Sequence, residues 1–210
     1  MRKSNNTALT FSYTDRYITR MSEENRERIM HVALNLLSSR GYEGTGVQEV
    51  VNACGITKPT LYHYFGSKRG LLMAILERYG NARRQNLDHA LRYRGDITRT
   101  LAETAVGLFR FANRHTAFYR LLLGLWLAPV ASDGFRAGAS YHEELQGRLE
   151  KLFVEAAADH GNMKGRHREY AATYLGMLHT YIGLAQNGYV KLDGEVAFRA
   201  VHQFMHGIFS

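Results

Sequence analysis

Residues 41–72 read GYEGTGVQEVVNACGITKPTLYHYFGSKRGLL, and the way this stretch punctuates itself decides the fold. Thr45, with Gln48 three residues later, predicts a capping box that opens a short helix carrying Val47, Val50, Val51 and Cys54 on its inner face. Gly55 predicts its end. Only Ile56 then separates that glycine from Thr57, which can cap a second short helix with Pro59 in the first turn, where a missing N–H is harmless. Two short helices joined by a glycine-containing turn make a helix-turn-helix.

Working outward, Ser22 predicts the cap of a preceding helix, with Glu23 and Glu24 at its positive end and Ile29, Val32, Ala33, Leu36 and Leu37 on one face before Gly41. Residues 1–21 hold no sustained period and are rich in Ser, Thr and Asn; they read as a flexible basic arm, or as an upstream extension if translation starts at Met21. Downstream, Ser67 opens a longer helix to about residue 91, carrying Leu71, Leu72, Ile75, Leu76 and Tyr79 and linking two domains. Further helices are expected at about 96–113, 116–128, 135–160, 165–189 and 194–208, with breaks at Pro129, Gly134, Gly161–Asn162 and Asp193–Gly194. With two prolines and no sustained apolar/polar alternation, the chain is expected to be all-α: a domain over 22–66 and a second over 67–210, with 67–91 linking them.

Composition bounds the function classes. One cysteine, Cys54, excludes an internal disulfide and any multi-thiolate metal site within one chain, and a reducing cytoplasm is the expected compartment. The apolar run 121–131 is too short for the roughly 20 residues that cross a bilayer, and Ser4, Asn5, Asn6 and Thr7 stand where a secretory signal needs apolar residues, so neither membrane nor export is expected. Of the formal net charge of +8, residues 1–94 supply +7, with 15 Lys and Arg against 8 Asp and Glu; residues 95–210 supply +1. A basic surface concentrated in one half points to a polyanion, nucleic acid or an acidic membrane face.

The segment from Lys58 to Phe65 chooses between them. By helical spacing Leu61 and Phe65 point together into a core, leaving a cation, a hydroxyl, an imidazole and two hydrogen-bonding aromatics on Lys58, Thr60, His63, Tyr62 and Tyr64 for the other sides. Lys, Tyr and Thr suit phosphate oxygens, and Pro59 or the Thr60 methyl can touch a thymine methyl in the major groove. Thr57 and Thr45 lie at helix starts, Ser67 and Lys68 add a hydroxyl and an ammonium, and Gln48 can pair with adenine.

Residues 41–72, with their glycines and threonines, the Leu-Tyr-x-x-Phe of 61–65 and the Ser-Lys-x-x-Leu-Leu of 67–72 in register, resemble the DNA-binding signature of the TetR/AcrR family of bacterial transcriptional repressors. The resemblance extends back to about residue 23. It implies a homodimer in which three N-terminal helices bind an inverted-repeat operator in double-stranded DNA, and six further helices bind a small-molecule effector and form the dimer contact. It also implies base contacts from Gln48, Lys58, Pro59, Thr60 and Tyr64, and phosphate contacts from Thr45, Tyr62, His63 and Lys68. Arg69 and Gly70 depart from the pattern, which often has an acidic residue and alanine there; the glycine is expected to weaken the fourth helix.

Other features have plainer readings. His202 and His206 have the i, i+4 spacing of a metal pair but no further ligand, so no metal or cofactor is expected; adjacent Glu143 and Glu144 point apart and read as solvated; Cys54 reads as a buried small hydrophobe. No catalytic motif is visible and an enzyme is not expected. Phe109, Phe118, Arg120, Trp126, Tyr141, His142, Met177, His179 and Tyr181 are the candidate effector-binding residues, large adaptable bodies with a few polar groups. Tyr174, Leu175, Leu178, Ile182, Val196, Ala200, Phe204 and Ile208 form apolar stripes on the last two helices and are the expected dimer contact. The expected function is a sequence-specific DNA-binding regulator, a repressor released by its effector; the alternative is a nonspecific nucleic-acid-binding helical protein.

Overall fold

The computed structural model describes the fold of residues 7–207, and side-chain surroundings from residue 20 onward apart from Asn162. Among the described residues there are nine α-helices, one 3-10 turn at Gly161–Met163 and no strand. The helices are α1 (Thr7–Arg40), α2 (Val47–Cys54), α3 (Lys58–Phe65), α4 (Lys68–Leu87), α5 (Ile97–Arg114), α6 (Thr116–Trp126), α7 (Asp133–Ala156), α8 (His167–Gln186) and α9 (Gly194–His206).

Two expected starts move. Helix α1 begins at Thr7, so Ser22 lies inside it rather than capping it. Residues 7–21 hold neither Gly nor Pro, and a formed helix propagates through one serine at a cost of a few tenths of a kcal/mol; Arg20 also pairs with Glu24 (2.9 Å) across the expected boundary. The part of the expected arm that precedes Thr7 lies outside the described residues. Gly134, expected as a break, lies in the first turn of α7, whose cap is Ser132 accepting from the Phe135 N–H (3.1 Å). A Cβ at Gly134 would stand 3.1 Å from Leu125 and 3.3 Å from Tyr42, so its small size lets α7 settle there.

The core is continuous. Ile29, Ala33, Leu37, Val50, Leu61, Leu72 and Ile75 unite α1 to α4, and the same buried cluster runs on through Leu101, Phe118, Leu149 and Leu178. Helix α4 packs on α1 and α3 at its start and on α5 and α7 further along, while α1 also lies along α6. Glu43, beside α2, accepts from the Gly134 N–H of α7 (3.2 Å), a second tie between the first three helices and the rest. The apolar stripes expected to form a dimer contact are instead spent inside this chain. Tyr174, Leu175, Leu178, Ile182, Val196 and Ala200 are buried, and the Tyr174 hydroxyl donates to the Leu101 carbonyl (2.6 Å). Phe204 is half-buried against Tyr174, and Ile208 lies outside the described residues. An apolar face at helical spacing finds the nearest core first, and α5 and α7 supply one.

Candidate nucleic-acid interface

The turn between α2 and α3 is built by three local devices. Gly55 takes the left-handed conformation (φ 63°) that a Cβ would oppose, and the Ile56 N–H reaches back to the Val51 carbonyl (3.0 Å). Thr57 caps α3 by accepting from the Thr60 N–H (3.4 Å), and Pro59 falls in the first turn. From α1, Arg28 donates to the Cys54 carbonyl (2.7 Å), satisfying the end of α2 and tying the pair to its support. Leu61 and Phe65 are the buried anchors of α3.

Everything else on α3 faces outward to some degree. Lys58, Pro59 and His63 are exposed, Tyr62 is 45% exposed, and Thr60 and Tyr64 are half-buried. The Thr60 hydroxyl shares a hydrogen bond with that of Thr57 (2.9 Å), and the His63 ring meets Tyr64 edge-on at 5.4 Å. Gln48, on the exposed face of α2, donates to the Asn52 side chain (2.8 Å). Lys58, Pro59, Tyr62 and His63 are thus the exposed side chains of an α3 that carries no carboxylate.

Thr45 and Lys68 are placed differently from expectation. Thr45 is completely buried, its N–H on the Tyr42 carbonyl (3.3 Å) and its hydroxyl donating to the Gly41 carbonyl (2.8 Å), so it has no group free for a phosphate. The cap of α2 is consequently Gly46, one residue later, and Glu49 rather than Gln48 closes the box by accepting from the Gly46 N–H (2.8 Å). The Lys68 ammonium lies 4.1 Å above the Tyr42 ring, and burial lowers its pKa against the opposing pull of Glu43, Asp133 and Glu49. It is half-buried, so in this arrangement it braces the start of α4.

Gly70 also reverses its expected cost. A Cβ there would sit 1.9 Å from the Phe65 carbonyl oxygen, while Ser67 caps α4 by accepting from the Gly70 N–H (2.9 Å). Glycine lets α4 start directly beneath the end of α3. Gly70→Ala is expected to lower stability by about 2 kcal/mol, the scale of an overpacked site, and Tm by roughly 4–8 °C in thermal unfolding. An unchanged Tm would contradict this close approach.

The predicted effector residues separate into groups. Phe109 is core against Tyr181 (6.3 Å), and Phe118 is core stacked on Tyr79 (5.1 Å). Arg120 is exposed and donates to the Gln186 carbonyl (2.8 Å), joining α6 to α8, and Met177 is half-buried against the core. Tyr141 lies against Gly80, where an added Cβ would come within 2.6 Å of its ring. It also lines an open cleft of about 720 Å³ that Tyr64 and Phe65 of α3 line as well. Trp126, His142 and His179 do converge: the indole stacks on His142 at 3.5 Å, and His142 lies 5.4 Å from His179. Burial, with Arg83 nearby, holds the His142 pKa down at about 4; burial, then His142 and Arg83, holds His179 at about 3.

Two residues of this region were not singled out from sequence, Arg83 and Tyr119. Arg83 is 3% exposed, and its guanidinium donates to the Tyr141 carbonyl and stands 3.8 Å from Glu144. Tyr119 is fully buried beside His179 (5.8 Å). A signal for Arg83 existed: it lies on the apolar stripe of α4, seven residues after Leu76 and four before Leu87. Glu144, expected to be solvated, is held by Arg84 through both oxygens (2.8 and 3.1 Å).

Residues 29–75 match the family model for bacterial regulatory proteins of the tetR family. The chain is 30% identical over 100 residues to the HTH-type transcriptional activator FasR of Mycolicibacterium smegmatis, covering 48% of this chain and 46% of that protein. The chain thus spans about half the length of that relative. Two solved structures share the fold. One is the TetR family regulator PfmR of Thermus thermophilus, with TM-score 0.68, 22% identity and coverage of 87% and 100% of the two chains. The other is AibR, described in complex with isovaleryl coenzyme A and operator DNA, with TM-score 0.67, 20% identity and coverage of 85% and 96%. The helix-turn-helix thus lies inside the segment that matches the family of bacterial regulatory proteins named tetR, and the whole described chain shares the fold of TetR family structures.

Proposed function

We propose that the protein is a homodimeric, sequence-specific DNA-binding regulator, a repressor released from an inverted-repeat operator by a small molecule. The observation that carries this reading is the outward face of α3, where Lys58, Pro59, Tyr62 and His63 stand exposed on a helix pinned by Leu61 and Phe65. Residues 22–66 are the DNA-binding unit and 67–210 the effector-binding and dimerisation unit. Gln48, Lys58, Pro59, Thr60 and Tyr64 address bases, and Thr57, Tyr62 and His63 address the backbone. The proposed compartment is the cytoplasm, where such DNA lies; among the described residues no helix is long and apolar enough to cross a membrane. The family is one of regulatory proteins, and no catalytic role is proposed.

Two copies of α3 must enter successive major grooves about 34 Å apart, so the dimer geometry selects the operator. Since the inner stripes of α8 and α9 are used within the chain, their outer faces are the proposed contact, with Phe198 (61% exposed) and Leu184 (39% exposed) as its apolar points. Phe198→Glu should give monomers in sedimentation and weaken operator binding by at least 10²-fold; a dimer that persists would move the contact elsewhere. An effector within the C-terminal unit shifts the separation of the two reading helices through α4, which packs on both parts. Coupling of about 1–3 kcal/mol lowers DNA affinity by roughly 5- to 150-fold. AibR, described in complex with isovaleryl coenzyme A and operator DNA, supports a ligand-responsive DNA-binding role for this fold.

The alternative, nonspecific nucleic-acid binding, uses the same basic half without base readout. Fragments selected from the source genome, competed against random sequence, separate the two. The reading requires a preference of about 10³ or more at fixed salt, and equal competition would leave only the nonspecific one.

A further inference from the structure

Between α4, α6, α7 and α8 the interior holds one polar group that the fold itself does not satisfy. The Tyr119 hydroxyl is fully buried and, among the described residues, has no hydrogen-bond partner. Arg83 enters the same interior from α4, donating to the Tyr141 carbonyl beside His142, and its charge acts on that hydroxyl. The surrounding ion pairs are already closed: Glu144 is gripped through both oxygens by Arg84 (2.8 and 3.1 Å), and Asp88 takes Arg148 (2.8 Å). Arg83 reaches Glu144 only at 3.8 Å, beyond hydrogen-bonding distance. Three arginines therefore share two carboxylates, and the surplus positive charge lies on the most buried of the three. Among the described residues Arg83 has one hydrogen bond, donated to the Tyr141 carbonyl, and no carboxylate within hydrogen-bonding distance, so a buried orphan hydroxyl and a buried guanidinium short of countercharge share this interior at a cost to folding alone. It is the arrangement expected of a site that awaits an anion.

The approach to this pair is lined by rings. Phe135 and Trp126, both half-buried, stack at 5.9 Å. Trp126 covers His142 at 3.5 Å, His142 adjoins His179 at 5.4 Å, and His179 adjoins Tyr119 at 5.8 Å. Trp126 is the last residue of α6.

We propose that this interior takes a small apolar carboxylic acid, its carboxylate received by the Arg83 guanidinium and the Tyr119 hydroxyl and its body lying along the rings of Trp126 and His142. One buried cation matches one negative charge. A carboxylate accepts from both donors at once, which a neutral amide or alcohol of the same body does less well. The inference rests on the reading of the C-terminal unit as the effector-binding part, and it names the ligand's chemistry.

Trp126 is the only tryptophan in the chain, so its fluorescence reports directly on the stack over His142. The full-length protein is titrated, without DNA, with phenylacetate and with the alkanoates from hexanoate to decanoate, and in parallel with their primary amides. The expected result is a saturable change in Trp126 emission with at least one acid, at least 10-fold weaker for its amide. Tyr119→Phe should weaken that acid at least 10-fold while leaving Tm unchanged or raised, because the hydroxyl it removes has no partner to lose. Arg83→Lys should weaken it further; if that variant unfolds, Tyr119→Phe decides alone. No response to any of the acids, equal response to acid and amide, or undiminished binding in Tyr119→Phe each overturns the proposal. A clear fall in Tm of Tyr119→Phe overturns it too, by showing the hydroxyl to be bonded. Because no DNA is present, failure here leaves the proposed DNA recognition by α3 standing, and failure of operator selection leaves this titration interpretable.

Discussion

Replacing Lys58 and Tyr62 together by alanine is expected to weaken operator binding by about 10³-fold while Tm stays within about 2 °C of the parent. Both side chains stand on the outer side of α3, and Tyr62 is 45% exposed, so neither supports the core. Hydrogen bonds with one charged partner, the Tyr62 hydroxyl on a phosphate or the Lys58 ammonium on a base edge, are worth about 1.5–3 kcal/mol when intact, less with partial solvent compensation. At about 1 kcal/mol each, two side chains in two copies give about 4 kcal/mol, or 10³-fold. The check is operator affinity at fixed salt beside thermal unfolding of the same preparations. A parallel collapse of stability would identify the pair as packing residues and remove the basis of the DNA reading.

Acid is expected to unfold the protein early, through the imidazoles beneath Trp126. His142 and His179 are held at about 4 and about 3 in the fold, chiefly by burial and then by positive neighbours, against about 6.5 in an unfolded chain. Folded pKa values below the unfolded ones mean that folding favours the neutral rings. Their contribution is therefore whole above pH about 6.5 and is lost as the pH falls, until protonation of the folded state near those lower values levels the loss. At pH 5 each ring contributes up to about 2 kcal/mol of this loss, and the partial exposure of His142 brings the pair to about 3 kcal/mol. Chemical denaturation at pH 7 and pH 5 measures it, and His179→Gln should remove about half of the difference. Equal stability of parent and variant across that range would mean that the imidazoles are solvated.

How far such residues can be recognised in advance depends on the reach of the force that places them. Gly55, Thr57, Pro59 and Ser67 act within four residues of themselves, through one left-handed glycine, two hydroxyl caps and one missing N–H, and each was readable in order along the chain. The same logic slipped by one residue at Thr45, because whether a threonine hydroxyl turns to its own helix or back to Gly41 depends on what lies behind it. Gly70 read as a weakness because the Phe65 carbonyl that demands it belongs to the end of another helix. The stripes of α8 and α9 read equally well as a surface between two copies or as a lining for α5 and α7, since periodicity records that a face is covered and not by what.

By itself, then, the sequence determined an all-helical chain, the helix-turn-helix between Val47 and Phe65, and the wetted character of Lys58 and Tyr62. Those are matters of short-range backbone conformation and of local spacing. Tertiary structure alone decided that Tyr119, His142 and His179 meet in one interior, that Arg83 is buried on the Tyr141 carbonyl beside His142, and that Glu144 is held by Arg84. Burial and charge compensation are sums over four helices at once, and no single stretch of chain contains the terms of that sum.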